Sequence, residues 1–196
     1  MKTTGIIAAT IVMAMSAIGQ TTWTVDNVHS NVRFTVSHLV ISEVDGKFDV
    51  YSGTIDAPEK DFTGAKIEFS VDVKSIDTGN EMRDNHLKAD DFFSAEKFPH
   101  MTFKGVSFKK VNDKNYVLEG DLTIRDVTKR ATFNVVHGGT VQDPYGNTKA
   151  GFKATTVIDR FAYGLKWNAL TEAGGATVGR DVMISLNLQF AQKKAS

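Results

Sequence analysis

The hydrophobic patterning of this chain predicts an all-β fold: an antiparallel β-barrel of about eight strands with one or two short helices. Three observations carry that expectation. Apolar residues recur with period two from Trp23 onward, turn chemistry punctuates the alternating runs, and only two segments break the pattern. Such alternation buries one face of each strand and wets the other, which belongs to antiparallel rather than parallel sheet.

The elements follow in order. Val32, Phe34 and Val36 alternate with Arg33, Thr35 and Ser37, and a similar run covers residues 47–55. Ile67, Phe69, Val71 and Val73 alternate with Lys66, Glu68, Ser70, Asp72 and Lys74. Further strands fall at residues 101–108, 116–125, 131–136 and 151–158. Near the C-terminus Val182, Ile184, Leu186, Leu188 and Phe190 alternate with Met183, Ser185, Asn187 and Gln189. Between Phe103 and Val106 the apolar parity slips by one beside Gly105, which reads as a bulge. Asn112-Asp113-Lys114-Asn115 and Asp143-Pro144-Tyr145-Gly146-Asn147 should each close a hairpin. One break in the pattern is residues 78–88. There Thr78 and Glu81 stand at capping-box spacing, or Asn80 caps a slightly later helix running to Lys88. The other is a short helical turn over residues 168–173, stopped by Gly174-Gly175. Parity alone does not separate a sandwich from a barrel. Closure removes unpaired edges, and eight strands enclose about one small ligand.

Composition narrows the function classes. The 196 residues make one domain without linker or repeat, and 23 basic against 23 acidic side chains create no field for nucleic acid. There is no cysteine, which excludes disulfides, thiol catalysis and thiolate metal sites. Met1-Lys2, an apolar run over residues 5–18 and the small residues Ala17-Ile18-Gly19 have the form of a secretory signal. The expected division is a removed signal over residues 1–19 and a barrel domain over residues 20–196, an uncleaved anchor being the other reading. Export places the function outside the cytoplasm.

The densest grouping of chemical side chains is TGNEMRDNHLKADDFF, residues 78–93. As a metal site it would use His86 and Asp90 with Asp84 or Asp91, yet His29, His38, His100 and His137 are scattered and no His-x-His or His-x-x-x-His occurs. As a catalytic site it has His86 with Ser75 or Ser94, but no Gly-x-Ser-x-Gly elbow. Asp90 and Asp91 are adjacent and point apart, so they form no glycosidase pair. The plainer reading has Arg83 and Asp84 tying a short helix to strand ends, with Leu87, Phe92 and Phe93 plugging one barrel end. Phe34, Phe48, Phe69, Phe103 and Phe133 face inward as either a solid core or a tunnel lining. His38 ends an inward series as a core or a wall residue, and Arg160, Tyr163 and Trp167 would meet either a head group or a surface.

A set of motifs sharpens this. Ser30-Asn31-Val32-Arg33-Phe34-Thr35-Val36-Ser37-His38 precedes Gly46-Lys47-Phe48 and Gly53-Thr54-Ile55. Then come Ser75-Ile76-Asp77-Thr78-Gly79-Asn80, Arg83-Asp84-Asn85-His86-Leu87, Asp91-Phe92-Phe93 and Lys97-Phe98-Pro99. Thr102-Phe103, Gly120-Asp121-Leu122-Thr123-Ile124-Arg125, Arg160-Phe161-Ala162-Tyr163-Gly164 and Val178-Gly179 complete the series. In these the chain resembles the YceI-like family of periplasmic polyisoprenoid-binding proteins along its whole length after the signal. The Arg-Asp-x-His-Leu run is the most specific element. Asp126 stands where the family usually has Gly, and Arg180 where an acidic residue is common, which bears on the polar rim.

The resemblance implies a lipocalin-like barrel with an elongated apolar tunnel for an isoprenoid or similar long-chain amphiphile. It further implies export to the periplasm and a homodimer. On this reading the chain is a carrier or storage protein, periplasmic or secreted where there is no outer membrane, with transient membrane contact and with no enzyme activity, metal or cofactor beyond the lipid. The lining expected is Phe34, Val36, His38, Phe48, Ile55, Phe69, Val71, Leu87, Phe103, Leu122, Ile124, Phe133 and Leu186. The lid or rim expected is Arg83, Asp84, His86, Phe92, Phe93 and Arg160. Other readings are an enzyme acting on a lipid or quinone-type substrate in the same cavity, and a stress-related interaction module with a filled barrel. Magnitude suits a lipid. At ~0.8 kcal/mol per buried CH₂, one isoprene unit contributes on the order of 3 kcal/mol before ordering costs.

Overall fold

The alternating segments hydrogen-bond into one antiparallel sheet whose first strand also meets its last. The computed structural model describes residues 20–170 and 177–194. The strands are β1 (Thr21–Val25), β2 (Asn31–His38), β3 (Ser42–Phe48), β4 (Tyr51–Ala57), β5 (Lys66–Asp72) and β6 (Ile76–Asp77). After helix α1 (Glu81–Lys88) come β7 (His100–Lys110), β8 (Asn115–Ile124), β9 (Val127–Gln142), β10 (Thr148–Asp159) and β11 (Val178–Gln192). The order β1-β4-β5-β7-β8-β9-β10-β11 closes through β1–β11 pairs such as Val25 with Phe190. The eight-stranded barrel is therefore real, and no sandwich forms.

Three of the eight staves are broken in the middle, which the alternation did not reveal. β1 and β2 run along the same edge of the long β11, separated by a 3₁₀ turn at Asn27–His29. The expected strand over residues 47–55 is two strands, β3 and β4, parted at Asp49 and Val50. β5 and β6 are parted by a 3₁₀ turn at Val73–Ser75. The breaks are stitched together: Asp49 and Val50 donate backbone N–H to Ser75 O (3.2 Å) and Ser75 Oγ (3.0 Å). Asp26 and Asp72 cap the two 3₁₀ turns through their carboxylates. Polar caps thus mark the breaks, and the buried parity shifts by one across each: Trp23 against Val32, Phe48 against Tyr51, and Val73 against Ile76.

Other elements follow the sequence closely. The register of β7 against β8 shifts between Gly105 and Ser107, at the expected bulge. The hairpins at residues 112–115 and 143–147 join β7 to β8 and β9 to β10; Asp143 Oδ1 accepts from the Tyr145 and Asn147 amides at 2.9 and 2.8 Å. Asn80, not the Thr78–Glu81 box, caps α1 by accepting from the Arg83 N–H at 3.1 Å. The short helical turn over residues 168–173 is not observed in its described part: residues 168–170 are non-helical, and the rest lies outside the described residues, as does the expected signal segment 1–19.

The barrel end away from α1 is sealed by aromatic rings. Phe62, 1% exposed, packs against Trp23 (5.2 Å between ring centroids), Phe152 (5.1 Å) and His137 (5.3 Å). Tyr116 stacks on Phe108 and donates its hydroxyl to Asp61 O at 2.7 Å. Within the barrel, Phe34, Phe69 and Phe103 cover Gly46, Gly53 and Gly120 of neighbouring strands. A Cβ at any of the three would collide with the ring, so the missing side chains let the rings hug the wall.

Candidate apolar tunnel and its mouth

Among the described residues four cavities follow one another inside the barrel, and shared walls order them. The outermost, about 450 Å³, lies between α1 and the β2–β3 hairpin and is walled by Phe34, Val36, Ser37, His38, Val44, Thr78, Asn80, Met82, Arg83, His86, Leu87, Phe92, Trp167, Thr177 and Val178. The next, about 100 Å³, shares Phe34, Val36, Leu87, Phe92 and Val178 with it and adds Phe48, Phe93, Met101, Ile124, Ile158, Arg160, Leu165, Val182 and Ile184. A third, about 80 Å³, shares Phe34, Phe48 and Ile124 and reaches Phe69, Val71, Phe103, Leu122, Phe133 and Leu186. The innermost, about 70 Å³, runs from Phe69, Phe103 and Phe133 to Ile55, Phe108, Phe152 and Phe190 at the sealed end. Phenylalanine rings form the necks between compartments. An apolar path therefore runs from the mouth to the aromatic floor, wide outside and narrow within.

The mouth owes its shape to a short polar network. Asp84, 8% exposed, accepts from Thr78 N (2.9 Å) and Thr78 Oγ1 (2.5 Å). Arg83 donates through Nε to Thr78 Oγ1 and through Nη2 to Thr78 O, both at 2.8 Å. One threonine, just after β6, thus fixes two successive side chains of α1, and the helix stands as a lid at a set angle. Beyond α1, Phe93 packs edge-on against Phe48, 6.1 Å between centroids. The buried Ser94 hydroxyl donates to Asp90, whose carboxyl also meets Lys97 and is held below the usual carboxylate range by these two bonds.

Arg160 is the one buried cation of the site, 3% exposed. Its guanidinium donates to the carbonyls of Gly179 (2.7 Å), Leu165 (2.7 Å), Trp167 (2.7 Å) and Val178 (3.0 Å) and lies over the Phe161 ring. Burial lowers its pKa from the ordinary arginine value. The adjacent carboxylate, Asp159, is taken by Arg180, which lowers the Asp159 pKa. Arg160 therefore staples the loop after β10 to the start of β11 and presents its flank to the second cavity. Arg180, the departure from the family pattern, has a defined partner in Asp159.

His86 Nε2 meets Asp91 Oδ2 at 2.7 Å, and the ring stands edge-on to Phe92 (5.0 Å) and Trp167 (5.3 Å). This pair could pass a proton, but the serines considered with it are committed elsewhere: Ser94 to Asp90, and Ser75 to Asp72 O at 2.6 Å. No group of three or more His, Cys, Asp or Glu comes together among the described residues.

The structure places Phe34, Val36, His38, Arg83, His86, Leu87 and Phe92 at the mouth and Phe48, Phe93, Ile124 and Arg160 behind it. Phe69, Val71, Phe103, Leu122, Phe133, Leu186 and Ile55 lie deeper. Asp84 alone walls no cavity; it braces Thr78 from below. Sequence reasoning missed Ser37, Val44, Thr78, Met82, Met101 and Thr177, and Ile184 carried the same alternation signal as Leu186 without being singled out.

The chain matches the YceI-like domain model over residues 23–190. A UPF0312 protein of Staphylococcus aureus strain USA300 is 37% identical over 174 residues, 87% of this chain and 98% of the relative. Among solved structures, a Campylobacter jejuni YceI protein superposes with a TM-score of 0.65 at 28% identity, covering 97% of this chain and all of that one. BcnA of Burkholderia cenocepacia gives a TM-score of 0.73 at 21% identity, over 84% of this chain and 98% of that one. A polyisoprenoid-binding domain of Saccharophagus degradans gives 0.64 at 17% identity, over 87% of this chain and 98% of that domain. The last two share the fold.

Proposed function

Since the chain belongs to the YceI-like family, we propose that it is an exported carrier or storage protein for a long-chain isoprenoid or related amphiphile, and that it performs no covalent chemistry. One observation carries this reading: the apolar path of four compartments from an open mouth to an aromatic floor. A tapering channel of that kind takes an extended chain. The mouth, with Ser37, His38, Thr78, Asn80 and Arg83, takes a polar end. The polyisoprenoid-binding description of the S. degradans domain agrees with this assignment. Burial of a few isoprene units at ~0.8 kcal/mol per CH₂ supports micromolar binding without a strong polar contact.

The test is organic extraction of protein purified without denaturant, followed by mass spectrometry. A stoichiometric polyprenyl or similar amphiphile is expected. An empty extract, together with no uptake of added polyprenol, would sink the proposal.

A further inference from the structure

The β2–β3 hairpin beside the mouth is made of residues unsuited both to a turn and to water. The Ile41 N–H donates to His38 O at 3.2 Å, so Leu39 and Val40 are the central residues of the turn, at φ +54 and +66. Hairpins reserve this left-handed arrangement for Asn-Gly and similar pairs, and a β-branched residue there is an outlier. Val40 and Ile41 are 71% and 85% exposed, and Leu39 is 38% exposed. Met82, 84% exposed, projects from the lid across the same mouth. Local conformation and hydration both argue against Leu-Val-Ile here, and strain of this kind gathers at functional contacts.

We propose that this hairpin tip, with Met82, inserts into the surface of a phospholipid bilayer and sets the tunnel mouth against the membrane. The proposal rests on the lipid-binding reading of the cavity. Three features favour a bilayer. The tip is continuous with the mouth, since His38 and Val44 wall the outer cavity and the Leu39 N–H donates to O of Thr177, another wall residue, at 2.9 Å. A lipid entering the tunnel would then cross from bilayer to protein without passing through water. A tip of three residues with one lid side chain is a smaller apolar patch than the about 800 Å² per partner of a stable protein interface, so a second copy is a poorer occupant. Charge does not carry the contact: Glu43 and Asp45 are the charged side chains of residues 34–46, leaving His38 aside. The contact is apolar insertion, indifferent to the sign of the lipid head group.

The experiment compares the chain with its Leu39→Asn/Val40→Gly double variant, which supplies the preferred turn residues and removes two apolar side chains. Both are purified in parallel, and intact mass confirms that they carry the same N-terminus. Co-sedimentation with phosphatidylcholine vesicles should fall at least fivefold in the variant. Transfer of polyprenol between donor and acceptor vesicles should slow by a similar factor, and the thermal midpoint should hold or rise. Binding of the unmodified chain should persist at high salt. Equal vesicle binding by both proteins, no binding by the unmodified chain, or its loss at high salt would overturn the proposal. So would a dimer in sedimentation velocity that the variant dissolves, since a second copy would then cover the tip. Vesicle binding that falls in the variant while both extracts are empty would keep the docking surface and reject the tunnel's cargo instead.

Discussion

The two ends of the barrel are built from opposite materials. The floor joins Trp23, Phe62, Phe108, Tyr116, His137 and Phe152, all but His137 buried to less than a tenth of their surface. The mouth is a short helix held by one threonine, a staple of carbonyls around Arg160, and a hairpin with an apolar tip. Interdigitated rings far from water supply stability; a polar network of few bonds supplies a defined opening that local motion can widen. The broken staves fall between the two. Their caps at Asp26 and Asp72 satisfy the turns that part the upper half from the lower, and buried apolar residues continue on both sides. The difference teaches that stability and access are assigned to separate ends of one sheet.

The largest expected effect breaks the floor. Phe62→Ala removes a ring in contact with Trp23, His137 and Phe152, and truncating a buried Phe costs about 3–5 kcal/mol. Urea unfolding should show that loss, while the protein that remains folded keeps its lipid in the extract. A loss below about 1 kcal/mol would mean that the floor is not the stable end.

A smaller effect should appear at the other end, with the opposite balance. Gly46→Ala places a Cβ into the Phe34 ring, and Phe34 walls three of the four cavities. The ring must swing into the neck, at about 1–3 kcal/mol of overpacking. Lipid recovered on extraction should fall by at least tenfold, with less loss of stability than in Phe62→Ala. Undiminished lipid would show that the chain bypasses this neck.

Much of this contrast was legible in the residues. Alternation placed Phe34, Phe69, Phe103, Phe133 and Leu186 on the inner face because a strand's period of two leaves no choice once one face is buried. Gly105 betrayed its bulge by a parity slip, and Asn80 its cap by position. The broken staves leave only a faint trace in the pattern. Buried Phe48 is followed by buried Tyr51 and Ile55, an inward parity shifted by one, but Val50 extends the even series beside Tyr51, so residues 47–55 read as a single run. Of the mouth, Thr78, Met82 and Thr177 lie outside the barrel strands or at a strand's edge. Their meeting is set by how α1 and the rim cross, which no local period encodes. Arg160 was legible as a motif residue, yet its role as a staple depends on carbonyls up to 19 positions away.

The smallest effect concerns pH and separates the ends chemically. Burial lowers the pKa of His137, whose ring stacks on Phe152 at 4.9 Å in the floor; Lys110 lowers it further, while Asp61 and a bond to Gly139 oppose the shift. In the unfolded chain the imidazole takes a proton near the usual pH of about 6.5. Between that value and its lower folded pKa, the unfolded state holds more protons, so stability rises with pH across the window. The contribution is present above the unfolded pKa and is lost as pH falls through the folded one. Urea midpoints taken through that window should decline toward acid in the unmodified chain. His137→Phe keeps an aromatic ring in the stack and removes the titrating group, so its decline should be shallower. Equal slopes would assign the acid sensitivity elsewhere, and would leave the floor as a purely apolar seal with no proton linkage of its own.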